Sequence, residues 1–333
     1  MFKLNKKYFI LLNGLFFFLS LFLFFKILNS QPSHQNIYKF KKEDILSEST
    51  NSASLKYFYQ NLSNSVRSEK PNWLDYKATY YINSDGMNSI KDYAFQKKQG
   101  VYRIIMLGDS LVFGLFVNTN DNFSSLLEDK LNNVLFCDSI SHFEVINFGM
   151  PGYDIQYAVE RYKIKGKKYE PDLVIFLVNN WNFDRVNEWY FPITKELELS
   201  GTPGYVPELG KVLNLSQAEN IMKLRYSKSE LIEYQKKALF RLKDFYKGKL
   251  ILASFSNLKS EYKILLKQFV ITNKNFNSVD NITDITNIKN YHFQDDLHPN
   301  IQGHQKLAQD FYMLLKTNLL SKCEERNNLR KNF

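Results

Sequence analysis

From about residue 100 onward, the chain alternates between short apolar runs and stretches with helical periodicity. The apolar runs are short and rich in β-branched residues, which is typical of strands buried on both faces of a parallel sheet. We predict such strands at Tyr102–Leu107, Phe143–Asn147, Leu173–Val178 and Leu250–Ser254. Between them, apolar positions three and four residues apart predict helices at Phe123–Val134, Ile155–Lys167, Ser229–Lys247, Ser260–Val270 and Gly303–Leu320. This alternation predicts an α/β fold with a central parallel sheet, in which functional loops follow the carboxyl ends of the strands.

One stretch inside this domain breaks the alternation. Residues 187–225 contain a cluster of glycines and prolines between Gly201 and Gly210. These residues interrupt regular elements, so we predict a long irregular insertion. Insertions of this length are often functional loops or lids.

The N-terminal segment predicts a membrane anchor. The apolar run Tyr8–Leu28 is long enough to cross the ~30 Å hydrocarbon core of a bilayer as a helix. Lys3, Lys6 and Lys7 precede it, which favours an N-terminus left in the cytoplasm. A cleaved signal peptide is the alternative, although the run is long for one and no clear cleavage site follows. Either interpretation exports the rest of the chain.

These patterns divide the chain into five parts. Residues 1–28 are a cytoplasmic stub with the anchor, and residues 29–70 are a polar linker. A lead-in segment spans residues 71–100, the α/β domain spans residues 101–322, and residues 323–333 are a polar tail.

The composition agrees with a folded domain. Of 333 residues, 44% are hydrophobic and 23% are charged, close to the averages of soluble proteins. The net charge of +10 is compatible with anionic lipid head groups, acidic polysaccharide or nucleic acid as partners. No long run of like charges appears, however, and we expect the cations to be scattered over a solvated surface. The cysteines, Cys137 and Cys323, lie far apart, and their pairing stays open.

Ser110 is the candidate nucleophile. The turn Gly108-Asp109-Ser110-Leu111 directly follows a predicted strand, which leaves the serine hydroxyl at the carboxyl edge of the sheet. A helix begins there, and its N-terminal amides favour negative charge. Because a serine hydroxyl is a weak nucleophile until a base accepts its proton, the assignment needs a base elsewhere in the chain.

His298 is the candidate base. It lies in the run Asp295-Asp296-Leu297-His298-Pro299-Asn300. A carboxylate three residues before a histidine can reach the imidazole Nδ1, fix the tautomer and leave Nε2 free to accept a proton. Asp295 has this spacing, whereas Asp296 is the nearer neighbour.

Three segments together resemble the conserved blocks of the SGNH/GDSL hydrolase superfamily. LGDSLVFG (residues 107–114) is similar to the nucleophile block, VINFGMPGYD (145–154) to the glycine block, and DDLHPNIQGH (295–304) to the Asp-x-x-His block. Their order and spacing agree over about residues 100–320, and INSDGMN (82–88) resembles the lead-in of membrane-anchored members. The resemblance implies a three-layer α/β/α, flavodoxin-like fold with a central parallel sheet.

The resemblance also implies roles for individual residues. Ser110 corresponds to the nucleophile, His298 to the general base and Asp295 to the partner that orients it; Asp296 is one residue off the family spacing. The family's oxyanion hole uses the serine N–H, a glycine N–H and an asparagine side chain. Gly152 occupies the glycine position.

The asparagine block departs from the family pattern. In place of Gly-x-Asn-Asp the chain has Val178-Asn179-Asn180-Trp181-Asn182, and an ungapped count puts Trp181 at the catalytic position. A shift of one residue supplies Asn180 or Asn182, and both stay open, as does a site without this donor. We expect Trp181 to form a wall of the pocket.

These features predict an exported, membrane-tethered serine ester hydrolase. Its expected substrates are acylated glycans or lipid esters, and acetyl groups on envelope polysaccharide are the first expectation, by family analogy. One alternative is acyl transfer to a glycan hydroxyl, which would require a partner membrane protein that supplies acyl groups. Another is a catalytically degenerate module that binds glycan or a protein partner. No motif predicts a metal, a cofactor or nucleic-acid binding.

Overall fold

A computed structural model describes residues 55–134, 139–199, 215–272 and 274–330. The predicted anchor Tyr8–Leu28 and Cys137 lie outside these ranges. Within them, no helix combines the length and the apolar character that crossing a bilayer requires.

A β-hairpin precedes the main sheet. Strands β1 (Ser65–Glu69) and β2 (Ala78–Ile82) pair antiparallel. Upstream of them, Leu55, Phe58 and Tyr59 are at most 5% exposed and belong to the hydrophobic core. The described part of the predicted linker 29–70 is therefore integrated into the domain, because its apolar and aromatic side chains are buried there.

Five parallel strands form the central sheet. They are β3 (Val101–Leu107), β4 (His142–Asn147), β5 (Leu173–Val178), β6 (Lys249–Phe255) and β7 (Phe276–Ile282), in the order β4-β3-β5-β6-β7. The four predicted strands are confirmed. The fifth, β7, lies at the edge of the sheet, and its sequence FNSVDNI is mostly polar because only its two ends are buried.

Helices connect the strands and cover the sheet. They are α1 (Ser110–Phe113), α2 (Phe123–Val134), α3 (Ile155–Ile164), α4 (Asn180–Asp184), α5 (Asn187–Leu199), α6 (Leu215–Arg225), α7 (Lys228–Phe245), α8 (Ser260–Ile271) and α9 (Ile301–Arg330). A short hairpin of β8 (His292–Phe293) and β9 (Asp296–Pro299) precedes α9.

The region predicted as an irregular insertion differs from the structure, and most of the predicted polar tail is helical. The prediction of an irregular insertion over 187–225 is wrong for α5 and α6, because apolar residues at helical spacing, such as Tyr190 with Ile193 and Ala218 with Met222, are buried in the core. The predicted polar tail from residue 323 instead continues α9 as far as Arg330.

The hydrophobic core has two layers, one on each face of the sheet. Alternate residues of β3 point to opposite faces, so Ile105 joins one cluster and Ile104 the other. The first cluster includes residues of α3, α5, α7 and α8, whereas the second includes residues of α2 and α9. This arrangement confirms the prediction of helices on both faces of a parallel sheet, and it leaves the carboxyl ends of β3, β4 and β5 next to one another.

Candidate active site

Ser110 lies at the point where β3 gives way to α1. Asp109 caps this short helix, since its Oδ1 accepts a hydrogen bond from the Leu111 N–H at 3.0 Å. The Ser110 side chain is only partly buried. The predicted nucleophile therefore lies at the carboxyl edge of the sheet and is open to a substrate.

His298 on β9 contacts Ser110 directly. Its Nε2 atom is 2.8 Å from Ser110 Oγ, and its Nδ1 atom is 2.5 Å from Asp296 Oδ1. In this arrangement the serine hydroxyl can donate to Nε2 while Nδ1–H donates to the carboxylate. The fold thus brings the predicted nucleophile and base together.

The predicted contact between Asp295 and His298 is not made, and Asp296 takes its place. Side chains two residues apart on a strand point to the same face, so Asp296 and His298 on β9 face Ser110 together. The His298 N–H also donates to Asp296 Oδ1 at 2.8 Å. Asp295 lies in the turn before β9 and is exposed. The spacing of three residues would bring Asp295 to the imidazole only if the backbone here were not extended.

Asp109 is a buried carboxylate that links the serine turn to the asparagine block. Its Oδ2 accepts hydrogen bonds from Asn179 Nδ2 at 2.8 Å and from Asn182 Nδ2 at 3.0 Å. Burial raises the pKa of Asp109, while these hydrogen bonds and the nearby His298 oppose that shift. The asparagine block therefore fixes the backbone that carries Ser110.

Both asparagines predicted as oxyanion donors are engaged elsewhere. Asn182 Nδ2 donates one hydrogen to Asp109 and the other to the Tyr153 carbonyl at 3.1 Å. Asn180 faces the loop after β6, where its Nδ2 donates to the Asn257 carbonyl and its Oδ1 accepts from the Lys259 N–H. These contacts direct neither side chain at Ser110.

Asn179, which sequence reasoning did not single out, stands in a better position. In the parallel pairing of β3 with β5, Leu107 lies opposite Phe176. Ser110 and Asn179 each lie three residues beyond this pair, past the end of β3 at Leu107 and of β5 at Val178. Only one Asn179 amide hydrogen has a partner among the described residues. Its hydrogen bond to Asp109, the residue before Ser110, places Asn179 beside the nucleophile turn.

The Gly152 turn lies against the nucleophile segment. The Met150 N–H donates to the Gly108 carbonyl at 3.3 Å, and Asn182 bridges Asp109 to the Tyr153 carbonyl. Gly152 has φ +79°, a left-handed conformation that glycine adopts without strain. In the described part of the chain, its N–H has no hydrogen-bond partner.

Aromatic side chains form a wall beside the histidine. The Phe116 ring meets the His298 imidazole edge to face at 5.3 Å, and it packs in turn against Trp73 at 5.0 Å and Phe293 at 6.2 Å. Trp73 and Phe293 are only partly buried. The predicted wall residue Trp181 is partly buried, and the Arg185 guanidinium lies 4.5 Å from its ring centre.

A second histidine of the same sequence block, His304, is fully buried behind the site. Its Nδ1 accepts a hydrogen bond from the Phe123 N–H at 3.2 Å, which makes it a neutral packing residue. Burial, with a smaller effect of His298, lowers its pKa to about 3. In the described residues, no group of three or more His, Cys, Asp and Glu side chains could hold a metal ion.

No family model matches the sequence, and no curated protein matches it. Among solved structures, the chain is similar to TesA, with 15% identity, coverage of 65% of this chain and 99% of that chain, and a TM-score of 0.39. It is also similar to the lipase/acylhydrolase from Enterococcus faecalis, with 14% identity, coverage of 65% and 96%, and a TM-score of 0.41. A third similarity is to a catalytic mutant of Axe2, an acetylxylan esterase from Geobacillus stearothermophilus, with 15% identity, coverage of 65% and 94%, and a TM-score of 0.39.

Features of the chain itself agree with the family resemblance of its sequence blocks. Its strand order, in which the first strand of the sheet lies between the second and the third, is the flavodoxin-like order. The serine, glycine and histidine blocks follow β3, β4 and β7, and two of them meet in the contact between Ser110 and His298. The sheet order and the contact between Ser110 and His298 agree with the resemblance of the sequence blocks to the SGNH/GDSL hydrolase superfamily.

Proposed function

We propose that this protein is a serine ester hydrolase that works through an acyl-enzyme on Ser110. The observation that carries the proposal is the 2.8 Å contact between Ser110 Oγ and His298 Nε2, with Asp296 at the other ring nitrogen. A hydroxyl, a base and a carboxylate in this order are the groups that acyl transfer requires.

Catalysis begins when Ser110 Oγ attacks the ester carbonyl carbon. The hydroxyl proton passes to His298 Nε2, and Asp296 stabilises the imidazolium that forms. When the tetrahedral intermediate collapses, the alcohol leaves with the proton from Nε2, and the acyl group stays on Ser110. Water then attacks the acyl-enzyme with His298 as its base, which releases the acid and restores the hydroxyl.

The negative charge on the carbonyl oxygen needs donors aimed at it. We assign this role to the N–H groups of Ser110 and Gly152 and to the side chain of Asn179. Support for Asn179 comes from its hydrogen bond to Asp109, the residue before Ser110, and from its second amide hydrogen, which has no partner among the described residues. Such donors contribute on the order of 3–4 kcal/mol each to transition-state stabilisation.

We further propose that the substrate is a small acyl ester, first of all an acetyl group, on envelope polysaccharide. The aromatic wall of Trp73, Phe116 and Phe293 supports this, since aromatic side chains beside a few polar groups are typical of small-molecule sites. Tyr8–Leu28 would tether the domain outside the cytoplasm, close to such glycans.

A fluorophosphonate probe tests whether the chain is an enzyme. We expect labelling of the wild-type protein that is lost in Ser110→Ala and in His298→Ala. Ser125→Ala, which changes a partly buried serine on α2, is the matched control and should keep full labelling. If folded wild-type protein is not labelled by the probe, the result would favour the binding module and contradict the proposed hydrolase activity.

A substrate panel tests the finer proposal. Acetyl, butyryl and octanoyl esters and acetylated polysaccharides are compared, and a preference for acetyl groups on glycan is expected. Preference for octanoyl esters would point to lipid esters instead, and transfer of the acyl group to an added glycan in preference to water would point to an acyltransferase.

The proposed tether and its orientation need a separate test. Alkaline extraction of membranes tests whether the protein is anchored, and protease treatment of intact cells tests on which side of the membrane the domain lies.

A further inference from the structure

Tyr59 lies in a buried segment that contacts the loops around the active site. The Lys56 and Tyr57 N–H groups donate to the Glu188 carboxylate on α5, each at 3.1 Å. The Tyr59 ring packs edge to face against Tyr153 at 5.3 Å and against Tyr157 at 5.9 Å. Its backbone carbonyl accepts a hydrogen bond from the Tyr153 hydroxyl. The position of Tyr59 is therefore fixed from several sides.

The hydroxyl of Tyr59 reaches the glycine turn. It donates to the Pro151 carbonyl at 2.6 Å. That carbonyl belongs to the same planar peptide unit as the Gly152 N–H, and in a trans peptide the two groups point in opposite directions. A hydrogen bond that holds the carbonyl therefore fixes the direction of the N–H. It also polarises the peptide, which strengthens the N–H as a donor.

We propose that Tyr59 is a positioning residue that aims the Gly152 N–H at the oxyanion. This inference rests on the proposed function, in which the Gly152 N–H is one of the oxyanion donors. Tyr59 acts through the Pro151–Gly152 peptide and does not itself touch the substrate.

The other side of Gly152 is held as well. Asn187 Nδ2 donates to the Gly152 carbonyl at 2.8 Å, so both peptide units that flank this residue are anchored by side chains. A Cβ at position 152 would lie 2.6 Å from the Tyr59 hydroxyl. Glycine is therefore needed both for the left-handed conformation and for the close approach of Tyr59.

The test compares Tyr59→Phe with a matched control, Tyr157→Phe. Both changes remove one hydroxyl from the same aromatic cluster, but the Tyr157 hydroxyl donates to Glu188 and not to the glycine turn. In Tyr59→Phe we expect kcat for p-nitrophenyl acetate to fall about tenfold while KM stays within about twofold, because the donor acts mainly in the transition state. Tyr157→Phe should retain the wild-type kcat.

A thionoester substrate distinguishes an effect on the direction of the Gly152 N–H from a general structural effect of the substitution. Sulfur is a weaker hydrogen-bond acceptor than oxygen, so thionoester cleavage depends less on amide donors. The ratio of ester to thionoester rates should therefore fall in Tyr59→Phe and stay unchanged in Tyr157→Phe. All rates are measured at a temperature where circular dichroism shows each variant to be folded.

Two failures are distinguishable. If wild type reacts with a fluorophosphonate at Ser110 but Tyr59→Phe keeps the wild-type kcat and rate ratio, Tyr59 has no positioning role and the proposed function stands. If folded wild type does not react, the proposed function falls and this inference falls with it.

Discussion

Asp295 and Asp296 are neighbours in the chain but belong to different parts of a hairpin. Asp296 lies on β9 beside His298, whereas Asp295 lies in the exposed turn. Asp296→Asn should lower kcat by about 10³- to 10⁴-fold, because an amide neither selects the required imidazole tautomer nor stabilises the imidazolium. Asp295→Asn is the matched control and should stay within about twofold. Steady-state hydrolysis of p-nitrophenyl acetate measures both, and the opposite ranking would mean that Asp295 orients the base.

Asn179 offers a second comparison between neighbouring side chains. Asn179→Ala should lower kcat by about 10²- to 10³-fold, since it removes a donor aimed at the oxyanion. Asn180→Ala removes only contacts to the loop after β6 and should retain most of the activity. The measurement is kcat together with the melting temperature. A large loss in Asn180→Ala with a small one in Asn179→Ala would return the donor role to position 180.

The sequence predicts Ser110 and His298 correctly as neighbours in space, because each lies in a recognisable sequence block. It does not predict Asp296, since the choice between two carboxylates depends on whether the backbone before His298 is extended or turned. It also does not single out Asn179, because the hydrogen bond between Asn179 and Asp109 joins segments that are far apart in the chain. Both errors concern local geometry that only the folded backbone determines.

At the scale of elements, the junction between the β8–β9 hairpin and α9 holds His298, the proposed base, in place. Asn300 Oδ1 accepts from the Gly303 N–H at 3.0 Å, and Asn300 Nδ2 donates to the Asn290 and His292 carbonyls, each at 3.0 Å. Asn300 therefore caps the helix and fixes the hairpin at the same time.

Gly303 lets the helix and the hairpin approach each other. A Cβ at this position would lie 2.0 Å from the Tyr291 carbonyl oxygen, a backbone atom that cannot move alone. Gly303→Ala should therefore destabilise the fold by about 1–3 kcal/mol and lower kcat as the hairpin shifts. The exposed neighbour Gln302→Ala is the control, and thermal melts with activity assays compare them. Equal melting temperatures and rates would show that the junction tolerates the methyl group.

The elements that the sequence predicts are those buried on both faces or along a regular stripe. Strands β3 to β6 each contain several buried apolar residues and are therefore predicted, whereas β7 is largely polar and is missed. Helix α5 is missed because the glycines and prolines that follow it suggested one irregular segment. Burial of Phe58 and Tyr59 is likewise hidden by the polar residues that surround them.

At the scale of the whole molecule, His304 makes stability depend on pH. Its pKa in the folded protein is lowered from 6.5 to about 3. Below pH 6.5, His304 is therefore protonated in the unfolded chain while it stays neutral in the folded protein, which favours unfolding. The contribution of neutral His304 is fully present above pH 6.5 and is lost as the pH falls towards 3.

His304→Asn keeps an acceptor for the Phe123 N–H and cannot be protonated in this range. We expect the variant to melt below wild type at pH 8, because the ring stacking on Phe123 is lost. The difference in melting temperature should shrink between pH 6.5 and 4, where only wild type loses the contribution of this histidine. His142→Asn, at an exposed histidine, should leave the wild-type pH dependence unchanged. If the difference in melting temperature between wild type and His304→Asn stays constant from pH 8 to pH 4, His304 does not titrate as described.

The contact between Ser110 and His298 joins residues 188 positions apart. Ribosomes add about 5–20 residues per second, so the serine is synthesised on the order of ten to forty seconds before the histidine. During that interval a nascent chain carries a serine hydroxyl without its base. Under the proposed function, hydrolytic competence therefore begins only when the last part of the domain has folded.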